Sequence, residues 1–297
     1  MFDKCIMKEF RSIVLSGGAF KAASIIGVIK YLEERHLIKN LQRFIGTSAG
    51  AVICFLLAMG YTSSEIKAFL IKVINNDTIN QFHIEDICNI FDTFGIDTGE
   101  KLELIFQKAL YEKTYRNDIS FIEFGKMFGK DLIVCVSNLT KEQSEFWSID
   151  TCPYRSVILA LKVSCSIPVI FPPIKVDDMM YVDGGVFNNF PISFFDNKQF
   201  KDLIGVNIKT NSYKKHDTFL NYICFLIYAI IEKSNIKPLT DLKNNIVTIN
   251  FTEEDEIDFS SLDDLKLKVP ESIIEKYITA GYDAIALLAN STSAEVL

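Results

Sequence analysis

The chain has 297 residues, 49% of them hydrophobic and 23% charged, with a formal net charge of -7. This length suits one α/β unit with an extension and a large core. The negative balance speaks against nucleic acid, whose phosphates select basic surfaces, and leaves any membrane contact to a local patch.

In chain order, the opening residues MFDKCIMKEFRS mix charge with apolar character and show no signal-peptide run. Ser12 to Leu15 is a short apolar strand that ends at Gly17-Gly18. Beyond it, Ala22, Ile25, Ile26, Ile29 and Leu32 recur at helical spacing. The layout then repeats, with Phe44-Ile45 leading into Gly46 and an apolar helix from Ala49 to Met59 that closes at Gly60. Because that helix is apolar all round, it is expected at the centre of the fold.

Thr62 and Glu65 have capping-box spacing, and Asp97 with Glu100 is expected to open a helix through about Tyr111. The runs DLIVCV at 131 to 136 and LIGVNI at 203 to 208 read as strands buried on both faces, and another strand is expected at 246 to 250. The stretch FLNYICFLIYAII, residues 219 to 231, is too short for the ~20 residues of a spanning helix. It reads as a core helix or an interfacial patch. An acidic loop at 252 to 264 precedes a final helix from near Glu271, with Ile274, Tyr277, Ile278, Gly281, Ala284 and Leu288 along one stripe. The alternation predicts an α/β fold, a mostly parallel central sheet sandwiched between helices. Seven Cys at irregular spacings, without a C-x-x-C pair, suggest a reducing compartment and a cytoplasmic location, peripheral to membranes at most.

Gly46-Thr47-Ser48-Ala49-Gly50 is a G-x-S-x-G pattern between a strand and a helix. A hydrolytic serine needs a sharp turn there with unhindered backbone on either side, which Gly46 and Gly50 provide, and the helix N-terminus favours a developing oxyanion. The base is less obvious. His36 falls at a helix end, where a cation suits the dipole, and His83 sits in NQFHIED between helices. His216 follows an acid in the Ser, Asp, His order of a triad, although its lysine-rich loop reads as surface. Asp183 is the better partner, since Met180 to Val182 form a short strand that delivers Asp183-Gly184-Gly185 to its carboxyl end. In LSGGAFKAASIIG, Gly17 and Gly18 precede a helix, so their N–H groups are expected to face a shared anion hole beside the cation of Lys21. No Gly-Lys-Ser/Thr closes this loop, so a nucleotide is not expected.

These three motifs in this order resemble the patatin-like phospholipases, and so do segments such as SCSIPVIFPPIKVDDMMYVDGGVFNNFPI. The resemblance covers a catalytic core from Arg11 to Gly205, with 206–297 as a C-terminal extension packing on the same domain. It implies the family's three-layer fold and a lipid acyl hydrolase that needs no metal or other cofactor. It places the nucleophile at Ser48, the base at Asp183 without a histidine, and the oxyanion loop at Gly17, Gly18 and Ala19 with its cation at Lys21. The implied partner is a lipid substrate, met at a membrane surface. The family loop reads G-G-G-x-R-G, so this chain departs at Ala19, Lys21 and Ala22. Alanine resists the positive φ that glycine accepts, which is expected to re-aim one amide. A free aspartate, with a pKa near 3.9, is a weak base for a serine hydroxyl. Two rivals stand beside this reading: an esterase with a Ser48-Asp-His216 triad, and a non-catalytic lipid-binding protein on the same fold.

Overall fold

The computed structural model describes residues 9–75, 94–195, 202–210, 245–252 and 269–294, with scattered positions between 222 and 233. The chain alternates strands and helices from its first element. The strands are β1 (Ser12–Leu15), β2 (Arg43–Thr47), β3 (Asp131–Asn138), β4 (Gln143–Trp147), β5 (Ile174–Val176), β6 (Met179–Asp183), β7 (Leu203–Thr210) and β8 (Ile246–Phe251). The helices are α1 (Ala23–Glu34), α2 (Ala49–Ala58), α3 (Ser63–Asn75), α4 (Glu100–Thr114), α5 (Phe121–Phe128), α6 (Val157–Ser164), α7 (Gly185–Asn188) and α8 (Glu271–Ala294).

All eight strands form one sheet in the order β5-β6-β3-β2-β1-β7-β8, with β4 also paired to β3. Pairing is parallel from β3 through β2, β1 and β7 to β8, and antiparallel where β4, β5 and β6 join. The expected continuous apolar strands are there: β1, β3 and most of β7 are buried along both faces. The main core lies between one face of the sheet and the long helices, and includes Ile13, Leu15, Ile25, Ile29, Phe55 and Tyr277. On the opposite face, Val14, Ile45 and Ile133 pack against Phe190, Ile192 and Phe195 from the segment that follows α7.

Helix α2 packs against β1, β2 and β3, as its apolar circumference requires. At the start of α3 the capping box forms: Glu65 Oε2 accepts from the Thr62 N–H at 2.8 Å, and Thr62 Oγ1 accepts from the Glu65 N–H. Asp97 behaves differently. Its carboxylate accepts from the N–H of Gly99 at 2.6 Å in a local turn, so α4 starts at Glu100 behind a left-handed Gly99 and runs on to Thr114.

Helix α8 crosses α1 so closely that the backbones touch. A Cβ added to Gly27 would collide with the carbonyl of Ile278, and one added to Gly281 with that of Ser24. Beyond this crossing the fully buried positions are Ile285 and Ala289, because successive steps of four residues from Gly281 keep the same face inward, and the expected Ala284 and Leu288 flank them, half-buried against the same core. Gly27→Ala is therefore expected to lower stability by about 3 kcal/mol, read as the midpoint of denaturant unfolding. Among the described residues, no helix is long and apolar enough to cross a membrane.

Candidate active site

Strand β2 ends at Thr47 and α2 begins at Ala49, so Ser48 alone makes the turn between them. Its backbone is held at φ 52° and ψ -127°, a conformation that costs a non-glycine residue on the order of 1–3 kcal/mol. The fold imposes this from both sides. A Cβ on Gly46 would meet the backbone of Ala51, and one on Gly50 would meet the carbonyl of Ser16. The Ser48 carbonyl accepts the first helical bonds, from Ala51 N at 2.8 Å and Val52 N at 3.2 Å. Its N–H donates to Ser164 Oγ at 2.9 Å, and that hydroxyl donates in turn to the Cys135 carbonyl at 2.7 Å.

The register of β3 explains how a residue 135 positions further along reaches the same place. Residues 131–135 of β3 pair with β2, whereas 136–138 pair with β6. Strand β4 pairs with residues 134–138, which overlaps both sets, so β2 and β6 must share the other edge of β3. They approach head to head: Thr47 lies opposite Cys135, and Asp183 lies opposite the next residue, Val136. The turn at Ser48 and the end of β6 at Asp183 thus converge on one pocket, which both residues line.

Asp183 is 1% exposed. Its Oδ1 accepts from the Gly185 N–H at 2.7 Å, and its own N–H donates to the Ser166 carbonyl at 2.8 Å. Burial pushes the carboxyl up to about 7, against the Ser48 hydroxyl and the Gly185 N–H, which both favour the charged form. The hydroxyl is close enough to be felt, yet no aligned hydrogen bond reaches the buried Oδ2 among the described residues. Neighbouring Gly184 accepts from Ser137 Oγ at 3.1 Å and abuts the Cys135 carbonyl, while Gly185 starts α7. Two thiols lie close by, and burial pushes Cys135 up to about 12 and Cys165 well above its ordinary value, so neither offers a thiolate.

The glycine loop departs from expectation at two points. The Gly17 N–H donates to the Asn189 carbonyl at 3.0 Å and is spent there. The amides of Gly18 and Ala19 have no acceptor among the described residues, and both residues line the pocket. Ala19 takes φ 44° in spite of its Cβ, because the loop must turn directly into a 3-10 turn, Ala19–Ala22, ahead of α1. Lys21 also lines the pocket, where its ammonium donates to Thr210 Oγ1 at 3.0 Å.

The remaining wall is apolar: Ile167, Ile170, Ile208, Ile227 and Ile231. Two of these come from the IPVIFPP segment and two from the apolar stretch at 219 to 231. His36 is exposed at the end of α1, away from this wall. His83 and His216 lie outside the described residues. Sequence reasoning missed Ser164, Asn189 and Thr210, since a supporting hydroxyl or a backbone carbonyl leaves no pattern in the chain.

A mostly parallel sheet with its pocket at the carboxyl ends of β1, β2 and β6 places the chain among α/β proteins that carry their sites at strand ends. Residues 13–196 match the model of the patatin-like phospholipase family, and the chain belongs to that family. It is 35% identical over 218 residues to the "Probable lipid hydrolase 463L" of Invertebrate iridescent virus 6, across 70% of this chain and 73% of the viral one. It is 26% identical over 295 residues to protein R571 of Acanthamoeba polyphaga mimivirus, across 95% and 96% of the two chains. Its fold is similar to that of VipD from Legionella pneumophila, with a TM-score of 0.57 at 21% identity over 95% of this chain and 67% of the other.

Proposed function

We propose that the protein hydrolyses acyl ester bonds of lipids through a Ser48-Asp183 dyad and an acyl-enzyme. The observation that carries this reading is a strained serine and a buried carboxylate facing one isoleucine-walled pocket, with the carboxyl raised to about 7. A base is most useful when its pKa lies near the working pH, so burial supplies the strength that a free aspartate lacks. Membership of a phospholipase family and the viral relative's name agree with a lipid ester as substrate.

In the first step Asp183 takes the Ser48 proton as Oγ attacks the ester carbonyl. The Gly18 and Ala19 amides then donate to the oxyanion, each worth ~2.7–4 kcal/mol in comparable sites. The intermediate collapses, the C–O bond breaks, and the alcohol or lysolipid leaves with the proton from Asp183. Water next attacks the acyl-enzyme while Asp183 again accepts a proton; the Oγ–C bond breaks, Ser48 takes that proton back from Asp183, and the fatty acid departs. The acyl chain lies along the isoleucine wall. The segment 206–297 serves the same domain as 11–205, because β7, β8 and α8 carry sheet and core that the earlier elements pack upon. The substrate is met by transient contact of a cytoplasmic protein with a lipid surface.

The pH profile tests the assignment of the base. With Asp183 active only as the carboxylate, kcat/KM for a soluble short-chain ester is expected to rise about tenfold per pH unit below an inflection near 7, then level off. A profile flat from pH 5 to 8 would remove Asp183 as the base.

A further inference from the structure

The family match ends at residue 196, yet Ile208, Thr210, Ile227 and Ile231 in the pocket wall all lie beyond it. One chain of contacts ties this later part of the molecule to the glycine loop. The Lys21 ammonium donates to Thr210 Oγ1 at 3.0 Å and stands 5.8 Å from the centroid of the Phe251 ring. Phe251 is buried and meets Tyr277 of α8 edge to face, with centroids 5.0 Å apart. Behind them, Ser24 Oγ donates to the Lys21 carbonyl at 2.7 Å, and α8 presses on the Ser24 carbonyl at Gly281. Lys21 is the single cation among the described residues of the pocket wall.

A lysine left to itself samples many rotamers, and fixing it on a substrate costs side-chain entropy. Thr210 and Phe251 bear that cost in advance. Among apolar neighbours, the held charge also acts more strongly than it would in water.

From this arrangement we infer that Thr210 and Phe251 are positioning residues that hold the Lys21 ammonium on the pocket wall, so that the last third of the chain sets a preference for lipid esters with an anionic head group over neutral ones. The inference rests on the ester-hydrolase reading.

Its test compares kcat and KM on dihexanoyl phosphatidylglycerol and on dihexanoylglycerol, each below its aggregation limit. The full chain is used as wild type, Thr210→Val, Thr210→Ser, Phe251→Leu, Lys21→Met and the Lys21→Met/Thr210→Val double variant. Thr210→Val is expected to lower the anionic-to-neutral ratio of kcat/KM about tenfold, mainly through KM on the anionic ester, as for loss of a hydrogen bond to a charged group. Phe251→Leu shifts the ratio the same way, Thr210→Ser restores it, and the double variant is no worse than Lys21→Met alone. Equal losses on both esters, or additive losses in the double variant, overturn the inference and leave the hydrolase reading standing. Turnover that survives Ser48→Ala overturns the dyad on which both depend. Thr210→Ser and Lys21→Met preserve the comparison should Phe251→Leu fail to fold.

Discussion

Asp183→Asn is expected to abolish ester turnover and, above pH 7, to make the protein more stable than the wild type. The sign follows from the raised carboxyl. Its value of about 7 in the folded chain exceeds the ~3.9 of an unfolded aspartate, so folding favours the protonated form. The favourable contribution is therefore complete below about pH 4, and it is lost as the pH rises through 7. Asparagine fills the same space without a charge, and its side-chain oxygen can still accept from the Gly185 N–H. A gain of roughly 2–4 kcal/mol at pH 8, shrinking to nearly nothing at pH 4, is expected from denaturant unfolding at the two pH values. A variant equally destabilised at both would mean that the wild-type carboxylate is well stabilised in the fold, and the account of the base would fail.

The second large effect concerns the turn. Both Ser48→Ala and Ser48→Gly should cost at least ~1,000-fold in turnover, because each removes the hydroxyl proposed to form the acyl-enzyme. Their stabilities should differ in an unusual order. Alanine ordinarily stabilises a chain relative to glycine by limiting the unfolded ensemble. At φ 52° that order reverses, and Ser48→Gly is expected to exceed Ser48→Ala by about 1 kcal/mol. If the alanine variant were the more stable, the strain at this turn would be absent. The order of the two unfolding midpoints decides between them.

Much of the frame was legible because it is written in local pattern. The strand-turn-helix units at Leu15 to Ala22 and at Ile45 to Ala51 follow from apolar runs punctuated by glycine, and these units position the loop and Ser48. Asp183 could be found because β6 delivers it to a strand end. What escaped the sequence depends on partners far along the chain. The Gly17 amide goes to the Asn189 carbonyl, and the Lys21 ammonium goes to Thr210, 189 positions away. The raised pKa of the Asp183 carboxyl could not be anticipated either, since it comes from burial by the assembled core and from no feature of its neighbours in sequence. At Ala19 the sequence stated the right conflict, a Cβ against a positive φ, but not its outcome: the surrounding loop prevails and the alanine bears the strain.

The shared edge of β3 carries the central claim, because it brings the end of β2 and the end of β6 together. Its most direct test is mass spectrometry of the protein quenched during turnover of a slowly released acyl ester. An acyl mass should appear on the peptide that contains Ser48, and it should be absent from Asp183→Asn under the same conditions. Undiminished hydrolysis with the acyl group on another residue, or with no covalent adduct at all, would contradict it.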